Sequence, residues 1–279
     1  MLMKSILVPT DFSDCANAAA EVAVDIAKRS RAEIIFLHMH KPQYEGSHAH
    51  THGGSTKKEH CSDEGHARNE LNELIRKAEH HDLKAKPAFV FDNGNERIET
   101  YVQTFNIDFI VMGSHGANGI KEAFIGSNTQ RVVRDSTVPV LIVKRKTDKF
   151  EPKKVVFASS FEEDVGKPFE FIVDFATTWE ANLHLLYVNM PFNFKETDQA
   201  TANMQNFADK YPGASINIYD AFNEERGIKK FASEIKADLI AMTTHGRTGF
   251  IKMISHSIAE SLMNHAEVPI LIVNTRFTE

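Results

Sequence analysis

This chain of 279 residues repeats itself, and the repeat constrains the fold more than any other feature. KSILVPTDFSD, from Lys4, aligns with KKVVFASSFEED, from Lys153, and EIIFLHMHK (Glu33 to Lys41) aligns with NLHLLYVNM (Asn182 to Met190), both at an offset of 149. DFIVMGSHG (Asp108 to Gly116) aligns with DLIAMTTHG (Asp238 to Gly246), and VPVLIVK (Val138 to Lys144) with VPILIVN (Val268 to Asn274), now at 130. The offsets differ by 19, so the first half carries an insertion of that length between its second and fourth strands. A repeat this long is a whole folding unit copied. The chain therefore divides into sister domains, 1–146 and 153–279, linked by the polar stretch KRKTDKFEPKK (Lys144 to Lys154).

Within each half, short apolar runs alternate with longer helical patterns. SILV, EIIFLHM, KPAFVF, DFIVMG and PVLIV are near-continuous hydrophobic runs, as expected of parallel strands covered on both faces. Ala16 to Arg29 and Asn95 to Phe105 carry apolar residues at three- and four-residue spacing, the mark of amphipathic helices. Alternation of this kind implies right-handed βαβ units. The expected fold is α/β, with two tandem doubly wound parallel sheets of about five strands and helices on both faces. Hydrophobic residues at 42% and charged residues at 25% support real cores in both.

In such sheets, ligands sit beyond the carboxyl ends of the strands where strand order reverses. The first half offers Pro9-Thr10-Asp11 after its first strand. After its fourth come Met112, Gly113, Ser114, His115 and Gly116, then nine residues, then Gly126-Ser127-Asn128-Thr129. Glycines three apart let main chain turn tightly and lie close to a polyphosphate with amides free to donate. A helix opening at Ser127 would point its unpaired amides and positive end at an anion. Asp11 suits ribose hydroxyls; it can equally cap a helix starting near Ser13.

These residues resemble the universal stress protein family, with its adenine nucleotide alpha hydrolase-like fold, and the resemblance covers nearly the whole chain as two tandem copies. The family's motif is Gly, two residues, Gly, nine residues, Gly, then Ser or Thr, and the first half matches it in full. The resemblance implies that an adenine nucleotide, ATP accompanied by Mg, binds with Pro9, Thr10 and Asp11 bordering adenine and ribose and Met39 on the base. It places Met112, Gly113, His115, Gly116, Gly126, Ser127, Asn128 and Thr129 around ribose and phosphates. It also implies pairing of domains through their last strands, here an intramolecular pseudo-dimer, with room for a further homo-oligomer, and a role in stress response.

The second copy departs where ligand contact matters: Ala158 stands for Pro9, Ser160 for Asp11, Thr243 for Gly113 and His256 for Gly126, while His245, Gly246 and Ser257 remain. A degenerate second site is expected, one that does not take ATP in the family's way. On this reading the lost glycines answered to the ligand and the retained periodicity to the core.

The insertion region raises a separate possibility. His38, His40, His48, His50, His52, His60 and His66 put seven of the chain's 14 histidines within 29 residues. His48, His50, His52 and Cys61 could hold zinc or nickel, although the spacing fits no structural zinc pattern; the bland reading is a solvated loop. His38 ends a strand and reads as structural. Two functions thus stand open: an ATP-binding stress-response protein with at most slow hydrolysis, or a metal-binding or scaffold protein with a vestigial nucleotide site. A hydrolase would require turnover that depends on His115 or Asp11.

The net charge of -6 provides no basic surface for nucleic acid, and no apolar run nears the roughly 18 residues that span a bilayer. The opening MLMKSILVPTD reaches a polar turn too soon for a signal peptide, and Cys15 and Cys61 are too few for a disulfide framework. A cytoplasmic location is expected.

Overall fold

A computed structural model describes residues 3–41, 56–94, 96–115, 125–162, 166–211, 213–244 and 256–277. The first half runs β1 (Ser5–Pro9), α1 (Asp14–Ser30), β2 (Glu33–His40), α2 (Thr56–Glu79), β3 (Ala85–Phe91), α3 (Ile98–Thr104), β4 (Phe109–Gly113), α4 (Ser127–Asp135) and β5 (Val140–Val143). The second runs β6 (Lys154–Ala158), α5 (Gly166–Thr178), β7 (Asn182–Asn189), α6 (Thr197–Lys210), β8 (Ser215–Asp220), α7 (Glu224–Glu234), β9 (Leu239–Thr244), α8 (His256–His265) and β10 (Ile270–Asn274).

Local chemistry explains the element boundaries. Ser13 caps α1, its hydroxyl accepting the Ala16 N–H, and Lys28 and Arg29 sit in the last turn where the helix end is negative. The helix stops at Arg31, which is left-handed with φ 60°. Six buried alanines, Ala16, Ala18, Ala19, Ala20, Ala23 and Ala27, let α1 approach the sheet closely. The repeat is written even into unusual backbone. Left-handed Phe12 and Arg31 recur as Phe161 and Glu180 at the offset of 149, and Asn106 recurs as Lys236 at 130.

Each half has strand order 3-2-1-4-5 or its equivalent, but the two sheets are not separate. They join as one ten-stranded sheet, β3-β2-β1-β4-β5-β10-β9-β6-β7-β8, parallel everywhere except at β5–β10. There Leu141 pairs with Leu271, its own repeat equivalent, flanked by Val140–Ile272 and Ile142–Ile270. Self-pairing of equivalent residues in antiparallel strands is what a twofold axis between the halves produces. The pseudo-dimer thus merges two edges that would otherwise stay open. Equivalent helices share a face: α1, α2, α5 and α6 pack on one apolar layer and α3, α4, α7 and α8 on the other. The carboxyl ends of the two sets of parallel strands point toward opposite ends of the sheet, along the strand direction.

The insertion resolves to one connection. β2 to β3 spans residues 41–84, whereas β7 to β8 spans 190–214, a difference equal to the 19 residues inferred from the offsets. His48, His50 and His52 lie outside the described residues, and Cys61 falls in α2 at a position whose side chain is not described. Among the described residues no group of three or more His, Cys, Asp or Glu is arranged to hold a metal ion, and no helix is long and apolar enough to cross a membrane. The linker is less purely polar than its composition implies. Phe150 is buried edge-to-face against Trp179, at 5.3 Å between rings, and its N–H donates to Asp25 at 2.9 Å.

Candidate nucleotide site

In the first half the strand order reverses between β1 and β4, which lie side by side with Ile6 opposite Phe109. Beyond their ends, Thr10 is buried, its N–H donating to Leu37 O at 2.8 Å, and its hydroxyl accepts the Phe12 N–H at 3.0 Å. These bonds turn the chain sharply and leave Asp11 exposed at the rim. The Asp11 carboxylate accepts from the Ser13 hydroxyl (2.6 Å) and N–H (3.2 Å). Ser13, not Asp11, is the cap, and Asp11 braces it.

His38 holds the turn from the neighbouring strand. Its Nδ1 lies 2.9 Å from Thr10 O, and its ring stacks on Phe12 at 4.6 Å. Burial lowers its pKa, against the Thr10 carbonyl, which favours a proton there. This agrees with a structural role. Met39, next along β2, is half-buried and packs on the layer shared with α3 and α4. Met112 in β4 is buried in that same layer.

Across the crevice, β4 runs into a small hub that the motif spacing hides, since Ser114 is merely one of its unspecified positions. Ser114 is buried, donates its N–H to Val143 O (2.9 Å) and accepts the Gly126 N–H on its carbonyl (3.0 Å). Its hydroxyl lies 2.9 Å from His115 Nδ1 and 3.6 Å from the buried Cys15 thiol, which itself donates to Val143 O at 3.2 Å. The only clue in the sequence is that the repeat keeps a hydroxyl here, Thr244.

Gly126 is the N-cap of α4 and supplies no capping side chain, so the first-turn amides of Ser127, Asn128 and Thr129 are presented at a bare helix start. Ser127 and Asn128 are exposed; Thr129 is buried with its hydroxyl donating to Gly113 O at 3.1 Å. The structure thus gathers Pro9, Thr10, Asp11, Gly113, His115 and the start of α4 at one end of the sheet. Gly116 lies outside the described residues.

Gly113 has a second constraint that the sequence reading missed. A Cβ there would stand 3.0 Å from Cys15 C and 3.1 Å from both Ala16 N and Cys15 O. The glycine lets the first turn of α1 press against β4, so at this position the core itself requires the missing side chain. The second half also contributes from outside the motif. Asn264 of α8 accepts the Ile125 N–H at 2.7 Å, and Gln130 of α4 donates to Glu260. The turn into α4 is therefore held by the sister domain.

The corresponding crevice of the second half is furnished differently. Ser159 N–H repeats the bond of Thr10, donating to Leu186 O at 3.2 Å. Beside it, however, Lys195 folds inward: its N–H donates to Asn189 Oδ1 (3.0 Å), and its Nζ pairs with Glu162 at 2.7 Å and lies 5.1 Å from the centre of the Tyr187 ring. Tyr187 and Asn189 stand where His38 and His40 stand in the first half. Thr243 is buried, and the buried hydroxyls of Ser160 and Thr244 have no hydrogen-bond partner among the described residues. His245 and Gly246 lie outside the described residues, and the side chains of His256 and Ser257 in α8 are not described.

Comparison with known proteins agrees with this architecture. A universal stress protein of Methanocaldococcus jannaschii is 30% identical over 158 residues, spanning 52% of this chain and 98% of its own length; the Bacillus subtilis universal stress protein YxiE is 30% identical over 151 residues, 51% of this chain and all of its own. Each relative thus corresponds to about one half. A solved universal stress protein from Archaeoglobus fulgidus matches the double arrangement, covering 99% of this chain and 100% of its own at a TM-score of 0.74 and 22% identity. A Pseudomonas aeruginosa structure covers 98% of this chain at 0.68 and 16%. The model of the universal stress protein family matches twice, over residues 3–144 and 151–274. With the strand order, the twin crevices and these matches all in agreement, the chain belongs to the universal stress protein family, as a tandem member with two domains.

Proposed function

We propose that the first half binds an adenine nucleotide, ATP with Mg, and that occupancy alters the partners or shape of the protein in a stress response. The observation that carries this reading is the bare start of α4. Gly126 caps the helix without a side chain, Ser127 and Asn128 are exposed on its first turn, and the Ser114 carbonyl holds it to the end of β4 across from Thr10 and Asp11. Three amides aimed from a helix start and a nearby imidazole, His115, suit phosphates. Thr10 and Asp11 suit the nucleoside end, with Met39 offering a soft apolar surface for the base.

In the second half His256 stands where Gly126 caps α4, and Lys195 and Glu162 form an ion pair beside the corresponding first-strand turn. One nucleotide per chain follows. Native mass spectrometry before and after denaturation, with an ATP-dependent thermal shift, tests the reading, alongside Gly126→Val. Wild-type protein should carry or take up one nucleotide and the variant none. Absence of both copurified nucleotide and any ATP-dependent shift in the folded wild-type protein refutes it.

A further inference from the structure

A cavity of about 540 Å³ opens between α1 and α2, and none of the crevice residues lines it. That size lies within the roughly 300–1,000 Å³ of small-molecule sites. Its floor is apolar, made by Ala20, Val24, Phe36 and Leu74, and its far wall is Thr147 and Asp148 of the linker between the domains.

The repeat explains why the cavity exists. In the second half the equivalent space is packed with rings: Phe169 meets Phe207 at 5.4 Å and Tyr211 at 4.8 Å. By the offsets of 149 and 130, the first half has Ala20, Lys77 and His81 at those three positions, and all three line the cavity. The register is secure, because the His81 N–H donates to Ala78 O just as the Tyr211 N–H donates to Ala208 O. Three aromatic side chains have thus been exchanged for one small and two polar ones without collapse of the helices, in a core where such volume is ordinarily filled.

The rim is electrostatically uneven. The acids of α1 are already engaged, Glu21 by Lys146 at 3.1 Å and Asp25 by Lys28 at 3.1 Å and by the Phe150 N–H. On α2, Lys77 has no ion pair among the described residues, and His80 and His81 are exposed beside it; Asp148 is the remaining acid. Lys77 can lay its alkyl stem along the apolar wall and keep its ammonium at the mouth.

We propose that this cavity is a second ligand site, for a compact hydrophobic carboxylate whose apolar body replaces the missing rings and whose anionic group meets Lys77 and the two imidazoles. Because the linker forms one wall, occupancy ties the α1–α2 layer of the first domain to the segment that leads into the second.

The test uses the full chain and anilinonaphthalene sulfonate, a fluorescent two-ring anion, with neutral phenylnaphthylamine and decanoate as companions. One saturable sulfonate site is expected, displaced by decanoate. Ala20→Phe, which restores the sister domain's ring, should abolish it while circular dichroism stays unchanged. Lys77→Glu should weaken the sulfonate about tenfold, as loss of a charged hydrogen bond does, and the neutral probe far less. Sulfonate binding that is unaltered in folded Ala20→Phe, as would follow from adsorption on exposed Phe192, Phe194 and Phe222, overturns the proposal. So does unaltered affinity in Lys77→Glu, which decides the matter alone should Ala20→Phe not fold.

Discussion

Replacing Gly113 by alanine separates the demands of the core from those of a ligand. Two effects oppose each other in the nucleotide-free protein. Gly113 is not left-handed, so alanine is allowed there and its stiffer unfolded chain favours the fold by about 0.4–1 kcal/mol. Against this, the new methyl would meet three main-chain atoms of α1 at 3.0–3.1 Å, none of them the end of a movable side chain. Overpacking of that kind costs about 1–3 kcal/mol. The second effect wins, and a net loss of about 1–2 kcal/mol is expected from these ranges. At roughly 2–4 °C per kcal/mol the unfolding midpoint should fall by about 2–8 °C, read by calorimetry without nucleotide. Gly65→Ala in α2 provides the contrast, since a Cβ there meets nothing within 4 Å, and it should gain about 0.5–1 kcal/mol. Should nucleotide-free Gly113→Ala prove as stable as wild type while Gly65→Ala behaves as stated, the α1 contact does not explain the glycine.

Other expectations follow from the same geometry. Lys144 donates to the carbonyls of Asn264 and Ala266 at the end of α8, both at 2.7 Å, yet burial pushes its pKa down to about 8 from 10.5. Because the unfolded chain holds that proton more tightly, stability relative to Lys144→Met should rise as pH climbs from about 8 to 10.5, and a flat difference in denaturant titrations would contradict it. Lys195→Ala leaves Glu162 without its ion-pair partner and should cost about 3 kcal/mol in urea unfolding, the lower end for a buried pair because Glu162 keeps some water. Asn264→Ala, made in the second domain, should weaken nucleotide binding by the first, because it frees the Ile125 amide that steadies the entry to α4; unchanged ATP affinity would confine that bond to a structural role. Calorimetric zinc uptake by the His48, His50 and His52 run should vanish in the triple alanine variant, and equal heats from both proteins would dispose of the metal reading.

The repeat and its hydrophobic patterning were enough to read out two parallel sheets of about five strands each, alternating with helices. These are local properties: a strand buried on both faces must be apolar throughout, and a helix start must leave amides unpaired, wherever the rest of the chain lies. The turn at Pro9 to Asp11 and the helix start at Gly126 to Thr129 were legible for that reason. The partners of Asp11 were legible only as alternatives, because capping and ribose binding call for the same carboxylate.

What needed the tertiary structure was the register and packing between segments far apart in the chain. The family resemblance anticipated pairing of the last strands, but only the folded sheet sets Leu141 antiparallel to Leu271, and only packing shows that α1 rests on Gly113. The buttress of Asn264 under the α4 turn, the Lys195–Glu162 pair in the second crevice and the space left by Ala20, Lys77 and His81 are likewise contacts across more than one element. Periodicity reports which face of an element is apolar. Which atoms meet that face is settled by the close packing of the whole molecule, where a single methyl group more or less decides the fit.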